Sequence, residues 1–237
     1  MQLVEGCAQE WSAAEGEREA RPRLARLGFA TAGPKTTDGR GIALWRRGPR
    51  NAHLLDELLA GLGERGLAPA RPTARLVDDS LAAVTGEQVA ALGQLRGVQT
   101  AMVLAPGTDL AEAYLVHGEA TGRPAGLAPA WELPDPGTGG TQPPGTAPLT
   151  FGDTVRLGPG VDLVATFTAL GRFAALRTNA LVELDLPRPE LLLVGARGGS
   201  LLAADASLRE ALERSLDGAL PLGTSTLREA AAIGSLG

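Results

Sequence analysis

The sequence is short of most residues that carry chemistry. Its one cysteine, Cys7, can form neither an internal disulfide nor a cysteine-based zinc site, so the fold must rest on its apolar core. The two histidines, His53 and His117, stand in no metal-ligand spacing with a carboxylate or cysteine. Aromatics make up 3% of the chain, and Trp45, Trp131 and Tyr114 lie too far apart to form a platform for stacking bases. Lys35 is the only lysine; basic residues number 22 against 27 acidic ones, and they are scattered. No Lys/Arg stripe can neutralise several phosphates, which argues against nucleic acid as the main partner. Nowhere do 18 apolar residues run uninterrupted, so no membrane helix is expected. Val4-Glu5-Gly6-Cys7 lacks the cationic start and apolar run of a lipidation signal. These absences describe a soluble, cytoplasmic protein, and the preference for Arg, Ala, Gly, Leu and Pro fits the coding bias of a high-GC bacterium.

What is present suffices for a core: 237 residues, 44% of them hydrophobic, allow one large domain or an ordinary domain with an extension. The first twenty residues offer one short solvated helix. Leu27 to Thr31 and Gly41 to Trp45 flank a Gly/Pro/Asp-containing stretch and predict a hairpin with a long loop. Asn51 can cap a helix through Gly63, in which Leu54, Leu55, Leu58, Leu59 and Leu62 share a face. A weak strand around Ala74 to Val77 ends an N-terminal α/β extension, residues 1–80.

From Thr85 a capping-box spacing predicts a helix ending at Gly97, followed by strands at 98–104 and 110–116. Residues 118–157 form a Pro/Gly-rich insertion with little to bury except Trp131, which predicts a mobile stretch. A helix is expected from Val161 to Leu176. Strands at 181–186, 191–194 and 201–204 then precede a capped helix from Ser207, and a short helix from Thr226 falls in the C-terminal tail, 223–237.

The order helix, two strands, helix, three strands, helix, with Gln94-Leu95-Arg96-Gly97-Val98 leading into Gln99 to Leu104, resembles the roadblock (dynein light chain) family over about residues 84–218. The segment from Ala180 through Gly195 and Gly199 to Leu208 is similar to that family's final meander. The resemblance implies a roadblock/profilin-like α/β sandwich at 81–222, with one mainly antiparallel sheet flanked by helices. It also implies a non-enzymatic regulator or scaffold that binds a small Ras-like GTPase or another protein, as a homodimer and without cofactor. The expected interface residues are Val164, Phe167, Leu170 and Phe173 on the helix and Val182 and Leu184 on the next strand, with Trp131 as an anchor or an internal dock.

Chemistry has one opening. Leu191 to Val194 reads as a buried strand ending in Gly195-Ala196-Arg197-Gly198-Gly199, and a strand, glycine turn and helix can cradle phosphate on backbone N–H groups. In this alternative reading, Gly195, Gly198 and Gly199 bind a nucleotide or small ligand in a sensor or enzyme. The missing G-x-G-x-x-G spacing favours a plain turn between strands. There is no P-loop and no G-x-S-x-G elbow. Asp78-Asp79 suits a helix start, and Glu183/Asp185 suits a guarded strand edge. Arg46-Arg47-Gly48-Pro49-Arg50 suits a solvated loop.

Overall fold

The computed structural model describes residues 28–43, 50–67, 75–138 and 147–225, and the chain forms two compact units that divide between Val77 and Asp78. The expected N-terminal helix, the strand end at Leu44-Trp45, the basic cluster from Arg46 to Pro49 and the helix from Thr226 lie outside the described residues.

The first unit holds β1 (Ala30–Thr31) and α1 (Leu54–Glu64), and it ends on Val77, the first residue of β2 (Val77–Asp78). Val77 N–H donates to Phe29 O at 2.9 Å. Leu55 and Leu62, two helical turns apart, are the buried residues of α1. Asn51 acts just outside the helix: its Oδ1 accepts from His53 N–H at 2.9 Å, an Asx turn that aims the chain into α1. Arg40 pairs with Asp56 on the exposed side of the helix.

The second unit is a three-layer α/β/α structure. It comprises α2 (Asp79–Val89), β3 (Ala101–Pro106), β4 (Leu110–Val116), β5 (Glu119–Thr121), α3 (Phe151–Thr154), α4 (Leu163–Glu183), β6 (Leu191–Val194), α5 (Ala196–Ala204), α6 (Ala206–Leu216) and β7 (Leu222–Thr224). The sheet order is β5-β4-β3-β6-β7, antiparallel from β5 to β3 and parallel from β3 through β6 to β7. Side chains alternate strictly across it. Met102, Leu104, Leu192 and Val194 pack with Phe167, Leu170 and Phe173 of α4 and Leu208 and Leu212 of α6. Ala101, Val103 and Leu193 face the other way, toward Val84 of α2 and Leu95. Burial on both faces is why the central strands are continuous apolar runs rather than alternating ones.

Several expectations are corrected here. The sheet is mixed rather than mainly antiparallel, because two expected strands are helical. Leu181 to Glu183 is the last turn of α4, so Val182 and Leu184 occupy a helix end and the turn after it, not an edge strand. Leu201 to Ala204 lies in α5; four apolar residues are too few for periodicity to separate strand from helix. The edge strand β7 had no distinct signal. The helix expected from Thr85 begins six residues earlier, at Asp79. Asp78 is its N-cap, accepting from Ser80 N–H, and Thr85 lies inside, bonding back to Leu81 O.

The stretch expected to be mobile is packed where it is described. Leu127, Ala130, Phe151, Val155 and Leu157 are core residues, and Thr150 and Asp153 make a capping box at α3. These apolar residues are spaced irregularly, with no period to announce them. His117 and Gly118, both at positive φ, form the two-residue turn between β4 and β5, the geometry that suits a tight hairpin.

Candidate functional site

β3 and β6 are neighbouring parallel strands whose chains leave in opposite directions. From β3 the chain turns back through Gly107-Thr108-Asp109 into β4 on one side; from β6 it passes through α5 and α6 to β7 on the other. The two strands stay paired to the end, where Gly195 N–H donates to Leu104 O at 3.0 Å, and then part. Such a switch point leaves a crevice outside the carboxyl ends of the strands, the usual ligand position in open α/β sheets.

The far wall of this crevice is the first turn of α5. Gly195 is its N-cap and, having no side chain, leaves the leading N–H groups without a side-chain cap. Gly198 and Gly199 let the turn lie close to the sheet. A Cβ on Gly198 would stand 2.6 Å from the Pro106 ring, and one on Gly199 would stand 2.5 Å from Val194 O and 2.8 Å from Ser225 O. Arg197 places an exposed guanidinium at the same helix end. Uncapped N–H groups at a helix N-terminus, approached closely by backbone, are suited to holding phosphate. Among the described residues, no group of three or more His, Cys, Asp and Glu could hold a metal ion.

Ser225, directly beneath the turn, is tied down twice. Its N–H donates to Val194 O at 2.9 Å, and its Oγ donates to Oε1 of Glu87 near the end of α2. Glu87 is 1% exposed, and its Oε2 accepts from Gln94 N–H at 2.9 Å.

A cleft of 480 Å³ opens between the 135–138 turn, α3 and the first half of α4, its lining mixing Val161, Ala165 and Ala169 with Asp153, Arg156 and Arg172. It adjoins the rim of the switch point, because Leu157 N–H donates to Gly107 O at 2.6 Å and Thr166 Oγ1 donates to Arg156 O at 3.3 Å. Asp135 anchors the cleft, accepting three bonds from Arg172, two of 2.8 Å and one of 3.0 Å, and one of 3.0 Å from Gly137 N–H. Burial pushes its carboxyl up, but the Arg172 guanidinium, the Gly137 N–H and the Thr154 hydroxyl together hold it below the usual carboxylate range.

A second ionic cluster sits inside the α4 layer. Arg177, 1% exposed, donates to both oxygens of Glu112 at 3.1 Å and to Ala128 O, and its guanidinium lies 4.7 Å from the Phe173 ring centre. Arg123 joins from the side at 3.3 Å, and Tyr114 Oη donates to Glu112 at 3.1 Å. Burial raises the Glu112 carboxyl despite these partners, and burial with the neighbouring Glu112 raises the Tyr114 phenol.

The residues singled out from sequence are placed as follows. Gly195, Gly198 and Gly199 come together at the switch point. Phe167, Leu170 and Phe173 are fully buried in the core of this single chain, covered by α6 and the sheet. Val164, Val182, Leu184 and Trp131 remain exposed. Glu87, Glu112, Asp135, Arg172 and Arg177 were missed; each is an isolated charge in sequence, and its partner lies far along the chain.

Neither a family model nor a curated protein sequence matches the chain. Solved structures do. A ROK family glucokinase from Streptomyces griseus, in complex with glucose and AMPPNP, superposes with a TM-score of 0.63 at 14% identity, over 99% of this chain and 86% of that one. The inorganic polyphosphate/ATP-glucomannokinase from Arthrobacter sp. strain KM gives 0.65 at 18% identity, over 99% and 80%. The ROK hexokinase from Thermus thermophilus gives 0.55 at 19%, over 99% and 84%.

The fold is that of the ROK sugar kinases. The roadblock resemblance is thereby overturned, and with it the non-enzymatic regulator or scaffold and the small-GTPase partner it implied. Element order does not separate the two folds: this chain runs helix, hairpin, helix and strand, and then continues through a parallel crossover from β6 to β7. Among the described residues, no helix is long and apolar enough to cross a membrane.

Proposed function

We propose that this chain binds a nucleoside triphosphate at the Gly195–Gly199 turn and transfers its terminal phosphoryl group to a hydroxyl of a hexose-like acceptor. The observation that carries this reading is the uncapped, glycine-lined first turn of α5 at the switch point between β3 and β6. The likeness to glucokinases, a glucomannokinase and a hexokinase supports the choice of chemistry. Asp109, on the facing turn, supplies a carboxylate of the kind that meets phosphate-bound Mg²⁺. The adjoining cleft has the volume for an acceptor of hexose size and presents hydroxyls, carboxylates and guanidinium groups along a partly apolar wall.

In the step itself, the acceptor oxygen bonds to the terminal phosphorus while the bond to the bridging oxygen breaks. The nucleoside diphosphate leaves with that electron pair, and the hydroxyl proton passes to water. Phosphoryl transfer of this kind asks the protein mainly to position its reactants and stabilise charge. The test is diphosphate formation from Mg–ATP in the presence of glucose, mannose and N-acetylmannosamine, offered singly. Acceptor-dependent turnover supports the proposal. Tight nucleotide binding without turnover on any hydroxylated acceptor would reduce it to a ligand-binding protein.

A further inference from the structure

We infer that Glu87 is a positioning residue for the glycine turn, acting through Ser225; its bearing on nucleotide binding rests on the reading proposed above. Glu87 is buried and cannot touch a ligand, yet its two carboxylate oxygens join two segments that the sequence keeps apart. Oε2 takes the N–H of Gln94 and so fixes the carboxylate against the loop that follows α2. Oε1 takes the hydroxyl of Ser225, 138 residues away, at the end of β7.

Ser225 is also buried, and its backbone is the surface on which α5 begins: its N–H bonds the carbonyl of Val194, the residue before Gly195. Gly199 lies against both Val194 O and Ser225, closer than any side chain would allow. A shift of Ser225 is therefore a shift of the floor under the first turn of α5, where the N–H groups must converge on phosphate. A buried carboxylate with both oxygens satisfied by separate segments costs desolvation but fixes one geometry.

The chemistry distinguishes two substitutions. Glu87→Gln can keep both bonds, with its carbonyl toward Gln94 N–H and its amide donating to Ser225 Oγ, which accepts as readily as it donates. Ser225→Ala removes the link and leaves Glu87 bonded to Gln94. A lost hydrogen bond to a charged group, read out as misplacement of the turn, should weaken affinity on the order of tenfold.

The experiment uses the full chain and two readouts, amide hydrogen exchange and calorimetric titration with Mg–ATP, on wild type, Ser225→Ala, Glu87→Gln and Glu87→Ala. Ser225→Ala and Glu87→Ala should speed exchange at Gly199 to Leu202 while β4 is unchanged, and should weaken Mg–ATP binding; Glu87→Gln should behave as wild type in both. Unchanged exchange at Gly199 to Leu202 in a folded Ser225→Ala protein overturns the inference. So does faster exchange with unaltered affinity. Should Glu87→Ala fail to fold, Ser225→Ala decides alone. If wild type binds no Mg–ATP, the nucleotide reading fails by itself, and the exchange data still show whether Glu87 holds the turn.

Discussion

Arg177 ties together β4, the 123–128 segment and the middle of α4. Its bonds to Glu112 and Ala128 and its contact with the Phe173 ring leave no part of the guanidinium facing water. Removing one partner of such a pair strands a buried charge, so Arg177→Ala should cost about 3–5 kcal/mol, read from urea denaturation. Joint replacement by apolar residues, Arg177→Met with Glu112→Leu, should recover most of that loss; equal destabilisation by the single and double variants would show that the pair does more than satisfy itself. Asp135 behaves differently, because its folded carboxyl titrates below its ordinary value of 3.8. Across the window between the two values the unfolded chain binds more protons, so this contribution is full above the ordinary value and is lost as pH falls through the folded one. Asp135→Asn should therefore lower the melting temperature near neutrality, and the gap to wild type should close on acidification below 3.8. A gap that is constant with pH would mean that Arg172 contributes nothing through charge.

At the scale of elements, the C-terminus of α4 shows both what the sequence announced and what it hid. The apolar spacing from Leu163 onward is helical, and the helix is there. Its last turn passes for a strand because Leu181, Glu183 and Asp185 alternate with Val182, Leu184 and Leu186 as they would on a pleat. The decision is made by the stop signal. Asp185 takes a φ of 58°, Leu186 N–H returns to Leu181 O at 3.0 Å, and Asp185 N–H returns to Val182 O at 3.1 Å. This is a Schellman closure with an aspartate where glycine is usual, so a sequence reader sees no stop. Asp185→Gly should stabilise the protein by about 0.5–1 kcal/mol by relieving the left-handed strain, measured as a shift in the urea midpoint at constant slope. A neutral or destabilising result would mean that the aspartate side chain does work at this end that glycine cannot.

For the whole molecule, the legible parts were local: β3, β4 and β6, the start of α4, the helix near residue 207 and the glycines after Val194. The glycine turn was recognisable as a possible phosphate cradle from its strand-then-glycine pattern, but the decisive neighbour was not. β6 pairs with β3 across some 90 intervening residues, and no local pattern shows that their connections diverge there. The same distance hid the Glu87–Ser225 and Glu112–Arg177 contacts. A fold-level analogy drawn from element order alone therefore chose a sandwich with no catalytic centre over one built around a crevice. The central claim is that the crevice between β3 and β6 is where nucleotide binds. Hydrogen exchange of the full chain with and without a saturating non-hydrolysable Mg–ATP analogue tests it most directly. The account predicts slowed exchange over Gly195 to Leu202 and Gly107 to Asp109. No protection anywhere, or protection confined to residues away from these two turns, would contradict it.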